Sequence, residues 1–272
     1  MAVFESIGTC QLVFIVLFLV LPILYQTSST FKYHFKLFVY YFLVLLIGFA
    51  VTIYSLPRPR DTRNHFFVSW CVKAFLRHVA GMEVEIRGQE ILKKDETAVI
   101  VMNHQSSLDM IPLFMIWPEN CVSLAKKELF YAGPFGIGAW MCGTIYIDRL
   151  NHQSARKTME DTADLIKHKK LKVAIFAEGT RNHKGSMLPF KKGAFHLAVA
   201  GQVPIIPVVF SSYNNFYSKP DKRFDEGRVI LEVLPPISTV GLTTDDVTSL
   251  TELTREKMLE CFDRISEEAK TF

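Results

Sequence analysis

Seven short apolar runs, most of them separated by stretches of helical character, constrain this chain more than any other feature. "EVEI" (83–86) alternates. "AVIVM" (98–102), "CVSL" (121–124), "TIYI" (144–147), "KVAIF" (172–176), "VPIIPVVF" (203–210) and "RVILEVL" (228–234) have the length and content of strands. Helices are expected at 107–117, 151–168 and 191–201, with a last one near 245–269. Strands alternating with helices predict an α/β domain whose mostly parallel sheet is buried and flanked by helices. In such sheets ligands and chemistry gather beyond the C-terminal ends of the strands.

Two apolar stretches come first. "LVFIVLFLVLPILY" (12–25) is 14 residues long and "LFVYYFLVLLIGFAVTIYSL" (37–56) is 20. At ~1.5 Å per residue the second reaches roughly 30 Å, the thickness of a bilayer core, and the first falls short. A cleaved signal peptide is the alternative for the first, although it lacks a basic n-region and a clear small-x-small cleavage site. The expectation is a two-helix, membrane-embedded anchor over residues 1–60 and an α/β domain over 61–272. Lys32 and Lys36 lie between the stretches while Arg58, Arg60 and Arg63 follow the second. Two full spans would put one basic cluster on the wrong side, a conflict that a shallow or re-entrant hairpin avoids. "TRNHFFVSWCVKAFLRHVAG" (62–81) then reads as one helix with a broad apolar face, ended by Gly81. Lys73, Arg77 and His78 line its other side, which suits either the headgroup layer or packing on the core.

A hydrophobic content of 49% and a positive mean hydropathy agree with a membrane setting. The net charge of +4 is too weak to imply nucleic acid and supports only a mild attraction to anionic lipid or phosphorylated substrates. Cys10, Cys71, Cys121, Cys142 and Cys261 are scattered and never in C-x-x-C spacing, which argues against a disulfide framework or a zinc site.

Three polar clusters follow strand-like runs. The first, "NHQSSLD" (103–109), holds His104 and Asp109. On a helix five residues is ~500°, leaving the two side chains about 140° apart. They meet only if a turn bends the chain, with His104 in the loop and Asp109 in the first helical turn. Ser106 and Asp109 also have the spacing of a capping box, a purely structural reading. The second cluster, "GTIYIDR" (143–149), ends a strand with Asp148 and Arg149; a structural ion pair is its plain alternative. In the third, "IFAEGTRNHKGSMLPFKKG" (175–193), Glu178 precedes Gly179, Thr180 and Arg181, with Lys184, Lys191 and Lys192 beyond. Glycine permits a sharp turn and close ligand approach, and arginine offers a bidentate fork for phosphate. No Walker-type loop is present.

H-x-x-x-x-D, G-x-x-x-I-D-R, F-x-E-G-T-R and V-P-I-I-P-V-V, in that order, resemble the four blocks of the glycerolipid acyltransferase family. More closely, "EGTRNHKGSMLPFKKGAFHLAV" and "VPIIPVVFSSY" are similar to the animal 1-acyl-sn-glycerol-3-phosphate acyltransferases of the alpha and beta type. The resemblance covers the stretch 60–240 and the hydrophobic N-terminus. One departure is Ala177, where the family usually has proline; its loss is expected to loosen the following loop.

The resemblance implies transfer of a fatty acyl group from acyl-CoA to the sn-2 hydroxyl of lysophosphatidic acid, at a membrane, with the endoplasmic reticulum as the family's setting. It implies His104 as general base with Asp109 orienting it, and Glu178, Gly179, Thr180 and Arg181 positioning the acceptor. Arg149, Lys191 and Lys192 are further phosphate candidates, and Pro204 and Pro207 are structural or acyl-lining. Acyl-CoA enters as co-substrate; no metal or bound cofactor is implied. A sister enzyme acting on glycerol-3-phosphate or another lysophospholipid, a thioesterase and an inactive membrane scaffold remain as alternatives.

Overall fold

The computed structural model describes residues 8–270. Two helices open it, α1 (Thr9–Thr27) and α2 (Ser29–Tyr54), parted at Ser28, whose Oγ accepts the Phe31 N–H and so starts α2. The two expected N-terminal helices are therefore present, and among the described residues α2 is the one helix long and apolar enough to cross a membrane. It turns two unlike faces outward and inward. Phe35, Phe38, Phe42, Leu46 and Phe49 are exposed, whereas Tyr33, Lys36, Tyr40, Gly48 and Val51 are buried.

The segment expected as one helix over 62–81 is broken. A 3₁₀ turn at Thr62–Asn64 leads into α3 (His65–Cys71), a π-helical turn at Val72–Leu76 and α4 (Arg77–Ala80). Gly81 ends it in the left-handed region, as expected. Strand β1 (Met82–Arg87) and helix α5 (Gln89–Lys93) follow. Then come β2 (Ala98–Met102), a 3₁₀ turn Ser107–Asp109, α6 (Met110–Met115) and β3 (Cys121–Lys126). Next are α7 (Pro134–Met141), β4 (Ile145–Ile147), α8 (His152–Lys169), β5 (Lys172–Phe176) and α9 (Gly193–Gly201). The chain continues through β6 (Ile205–Phe210), the short hairpin β7 (Tyr217–Ser218) and β8 (Arg223–Phe224), β9 (Gly227–Val233) and α10 (Val247–Lys270).

All seven expected strands join one sheet, ordered β1-β9-β6-β2-β5-β3-β4. Its five strands from β6 to β4 are mutually parallel; β9 meets β6 antiparallel and carries β1 with it. Alternation along β2 divides the core. Ile100 and Met102 join the cluster that includes Tyr40 and Leu108, and Val99 and Val101 join the cluster built with α8, α9 and α10. Because β2 and β5 are parallel neighbours with Met102 opposite Phe176, the chain leaves both strands side by side at one edge.

α2 lies along this body rather than apart from it. Lys32 pairs with Asp225 at 2.8 Å, and the Lys36 ammonium donates to the Asp225 carbonyl at 3.0 Å. Both lysines are thus engaged by the protein body. Further along, Gly48 sits directly on α7: a Cβ there would stand 2.8 Å from the Phe135 backbone, and one on Gly138 would stand 2.8 Å from the Gly48 carbonyl. Gly48→Leu is therefore expected to prise α2 from α7 and cost ~1–3 kcal/mol in overpacking. Thermal unfolding in detergent, with a cysteine cross-link between α2 and α7 as reporter, checks this.

Candidate active site

The first polar cluster folds into both of the structures its sequence offered. β2 ends at Met102, and Asn103 clamps the exit to β6: its Nδ2 donates to the Phe210 carbonyl at 3.0 Å and its Oδ1 accepts the Phe210 N–H at 2.9 Å. The turn then carries Asp109 back under the loop. His104 Nδ1 donates to Asp109 Oδ2 at 2.7 Å. The same carboxylate accepts the Gln105 N–H at 2.8 Å and the Ser106 N–H at 3.1 Å, while Ser106 Oγ accepts the Leu108 N–H. Ser106 and Asp109 form the capping box, and the box aims the carboxylate at the imidazole. An acceptor-only carboxylate, itself buried, assigns the proton to Nδ1 and leaves Nε2 as the free lone pair. The imidazole stacks on Phe176, centroids 4.0 Å apart, which fixes its plane.

The third cluster braces the first. Glu178, two residues past β5, accepts the His104 N–H on Oε1 and the Leu188 N–H on Oε2, both at 2.8 Å. The Asn182 N–H donates to the His104 carbonyl at 2.8 Å. Burial pushes the Glu178 pKa up, and the two N–H groups oppose that rise. Glu178 is buried and absent from the walls of the cavity that His104 lines. Both of its oxygens accept backbone N–H groups, a hold on the histidine loop.

The cations divide. Arg149, two residues past β4, donates from Nη1 to the Gly179 carbonyl at 2.6 Å. Gly179 has φ +71°, a conformation that favours glycine, and a Cβ there would sit 3.2 Å from Cγ of Lys191. Arg149, Gly179, Thr180 and Arg181 line the cavity with His104. The Arg181 guanidinium makes no hydrogen bond among the described residues. Lys191 flanks Gly179 outside the cavity wall. Lys192 turns away to Thr248 Oγ1 at 2.8 Å, ahead of any ligand in the cavity. Pro204 and Pro207 do not reach the cavity: Pro204 O accepts the Val99 N–H, and Pro207 stands opposite Val101 in the sheet with its carbonyl on the Leu234 N–H. Asp148 pairs with Lys127 at 3.2 Å, the structural reading of that residue.

The cavity itself is about 680 Å³. α2 supplies one wall through Tyr40, Val44, Gly48 and Val51, α3 and the π turn another through Val68 and Val72, and Leu113, Phe114 and Phe135 close it. Its polar end is the His104 loop, where Tyr40 and Tyr41 hydroxyls bond the Ser107 carbonyl and Oγ at 2.7 and 2.8 Å. Sequence reasoning missed the tyrosines and Lys126, the last residue of β3, which also lines the cavity. The position of Lys126 at a strand's C-terminal end was the available signal.

If Glu178 is a brace, Glu178→Gln should leave one backbone N–H facing an amide NH₂ and cost about 1–3 kcal/mol. Chemical denaturation of the variant measures this; an unchanged midpoint would remove the bracing role.

A family model described as Acyltransferase matches residues 83–211. The human 1-acyl-sn-glycerol-3-phosphate acyltransferase alpha is 40% identical over 250 residues, covering 92% of this chain and 88% of that protein. The human beta enzyme is 39% identical, covering 91% and 90%. The 1-acyl-sn-glycerol-3-phosphate acyltransferase of Haemophilus influenzae is 36% identical, covering 86% and 96%. The crystal structure of the 1-acyl-sn-glycerophosphate acyltransferase PlsC from Thermotoga maritima shares the fold, with a TM-score of 0.65 at 24% identity over 87% of this chain and 94% of that one. With relatives this similar along almost its whole length, and with residues of the first three sequence blocks lining one cavity, the chain belongs to the 1-acyl-sn-glycerol-3-phosphate acyltransferase family.

Proposed function

We propose that this chain transfers a fatty acyl group from acyl-CoA to the sn-2 hydroxyl of lysophosphatidic acid, giving phosphatidic acid and free CoA. The observation that carries the reading is the 2.7 Å His104–Asp109 contact at the polar end of a large apolar cavity.

An alcohol is a weak nucleophile at neutral pH, and a neutral imidazole with a free Nε2 is the base suited to it. Nε2 takes the proton of the sn-2 hydroxyl as its oxygen attacks the thioester carbonyl. Asp109 holds the ring and stabilises the imidazolium that forms. The tetrahedral intermediate collapses by breaking the C–S bond, and the imidazolium returns the proton to the sulfur, releasing CoA as the thiol. A thioester is already activated, so the reaction needs no enzyme nucleophile. Arg181, without a hydrogen bond among the described residues, takes the acceptor phosphate at the cavity wall that Arg149 and Lys126 also line. The fatty tails occupy the apolar cavity, where each buried CH₂ contributes ~0.8 kcal/mol.

The exposed face of α2 rests in lipid. Its aromatic and aliphatic side chains continue through the stacked series Tyr54, Phe67 and Trp70 on α3, a composition suited to the membrane–water boundary. A substrate tail then passes from bilayer to cavity without crossing water.

Asp109→Asn tests the chemistry. It keeps one oxygen for the turn but removes the charge, so activity in an acyl-CoA and lysophosphatidic acid assay should fall ~10²–10⁴-fold. Unfolding should show a modest loss, about 1–3 kcal/mol, from the N–H left facing an amide. Near-normal turnover would confine Asp109 to capping.

A further inference from the structure

One wall of the cavity carries apolar side chains on both of its faces. It is built from a 3₁₀ turn, Lys127–Tyr131, and from α7, which follows. Leu129, Phe135 and Ala139 line the cavity. Phe130, Tyr131 and Ile137 do not line it and are exposed, Tyr131 by 75%. A wall standing between an apolar cavity and water would put polar groups on its outer side. Here no residue from Leu129 to Met141 is charged. Charges stand only beside the ends of the segment. Lys126, Lys127 and Glu128 precede it, and the Arg60 guanidinium lies over the Trp140 ring at 5.5 Å.

The exposure is built in rather than a sign of looseness. Phe130 meets the ring of Tyr146 on β4 edge-on, with centroids 5.6 Å apart, and the Tyr146 hydroxyl donates to the Gly136 carbonyl at 2.9 Å. A Cβ on Gly136 would strike the Leu129 and Phe130 carbonyls, so the turn folds back directly onto the helix. The same shoulder adjoins α2. Gly48 meets the Phe135 backbone and Gly138, the neighbour of Ile137 in the chain. Leu45 and Phe49, on either side of Gly48, are exposed. The exposed apolar faces of α2 and α7 therefore come together at this contact.

We propose that the shoulder of Phe130, Tyr131 and Ile137 is a second lipid-docking surface, resting in the boundary between headgroups and acyl chains of the leaflet that α2 contacts. This rests on the reading of α2 as lipid-bound given under the proposed function. The occupant is phospholipid because the shoulder continues the face of α2 and because aromatic side chains on an uncharged strip, with charges only at its ends, suit the membrane–water boundary. A single interfacial helix sets the depth of the enzyme but leaves the body free to roll about the helix axis. A second contact off that axis removes the freedom, and with it the cavity wall meets lipid on its outer side.

The test places an environment-sensitive fluorophore on single introduced cysteines in the full chain, with Cys10→Ser and the four buried cysteines kept. Tyr131→Cys and Ile137→Cys are compared with Phe49→Cys on α2 and with Glu256→Cys on α10. All four positions are exposed, and thermal unfolding verifies that each labelled protein keeps its fold. The proteins are reconstituted in phosphatidylcholine vesicles, with and without lipid that carries a nitroxide just below the headgroup. An interfacial face sits ~5–10 Å into that layer, so the labels at Tyr131 and Ile137 should both lose the same fraction of their fluorescence as the label at Phe49. The label at Glu256 should lose none. Quenching at Phe49 with either shoulder label as unquenched as Glu256 would overturn the proposal and leave the reading of α2 intact. A blue shift at Tyr131 that the nitroxide does not quench, and that grows with the protein-to-lipid ratio, would assign the shoulder to a second copy of this chain and overturn it too. An unquenched label at Phe49 would defeat the lipid-bound reading of α2, and the shoulder with it.

Discussion

A buried carboxylate with both oxygens given to backbone N–H groups joins the two halves of the active site. Parallel pairing of β2 and β5 brings the loops after Met102 and Phe176 side by side, but adjacency alone fixes nothing to within the tolerance that catalysis needs. Glu178 converts adjacency into position by bonding the His104 and Leu188 amides at once. A charge taken out of water without a cation is costly, and the N–H groups offset part of that cost where the raised pKa records the rest. The imidazole is then set from three directions. Asp109 fixes its tautomer, Phe176 its plane, and Glu178 with Asn182 its backbone.

The apolar side is tied to the same loop. Tyr40 and Tyr41 bond Ser107, two residues from Asp109, and Gly48 seats α2 against α7 at the far end of the cavity. The helix that looks in sequence like an anchor is also a cavity wall. A span perpendicular to the bilayer would drag β8, α7 and the His104 loop into the hydrocarbon with it, because α2 touches all three along its length. Its half-buried pattern fits a helix lying at the interface, lipid on one side and enzyme on the other. On the proposed membrane reading, any shift of α2 relative to the bilayer carries the His104 loop with it.

Much of this was legible from the chain. The seven strands announce themselves because strands buried on both faces read as unbroken apolar runs, and the H-x-x-x-x-D spacing demands the turn that the capping box provides. The reversal of β9 against β6 was not legible, since strand direction depends on the route of the chain between strands and leaves no mark on either run. α7 was missed for a local reason. Its "PFGIGAWM" carries two glycines, which propensity counts against a helix, although packing on α2 needs them. At the site, a glutamate beside Gly-Thr-Arg reads as a substrate ligand, because nothing in sequence shows that both of its oxygens are taken by amides from elsewhere in the fold. Lys192 looks equal to Lys191 in the same way. In the fold one lies beside Gly179 and the other bonds Thr248.

Ala177 shows how a departure from a family pattern changes meaning once its backbone is seen. Proline at this position would fix φ and stiffen the exit from β5, so its absence predicts a looser loop. Ala177 is buried, however, and its N–H donates to the Met102 carbonyl at 3.0 Å, a bond that proline cannot make. Its own carbonyl accepts the Lys191 N–H at 2.7 Å. The β2–β5 ladder therefore runs one rung past the strand, right up to the residue before Glu178. What proline would supply by restricting a torsion, alanine supplies by an added hydrogen bond between the two loops that must stay together. The brace at Glu178 thus starts from a fixed point.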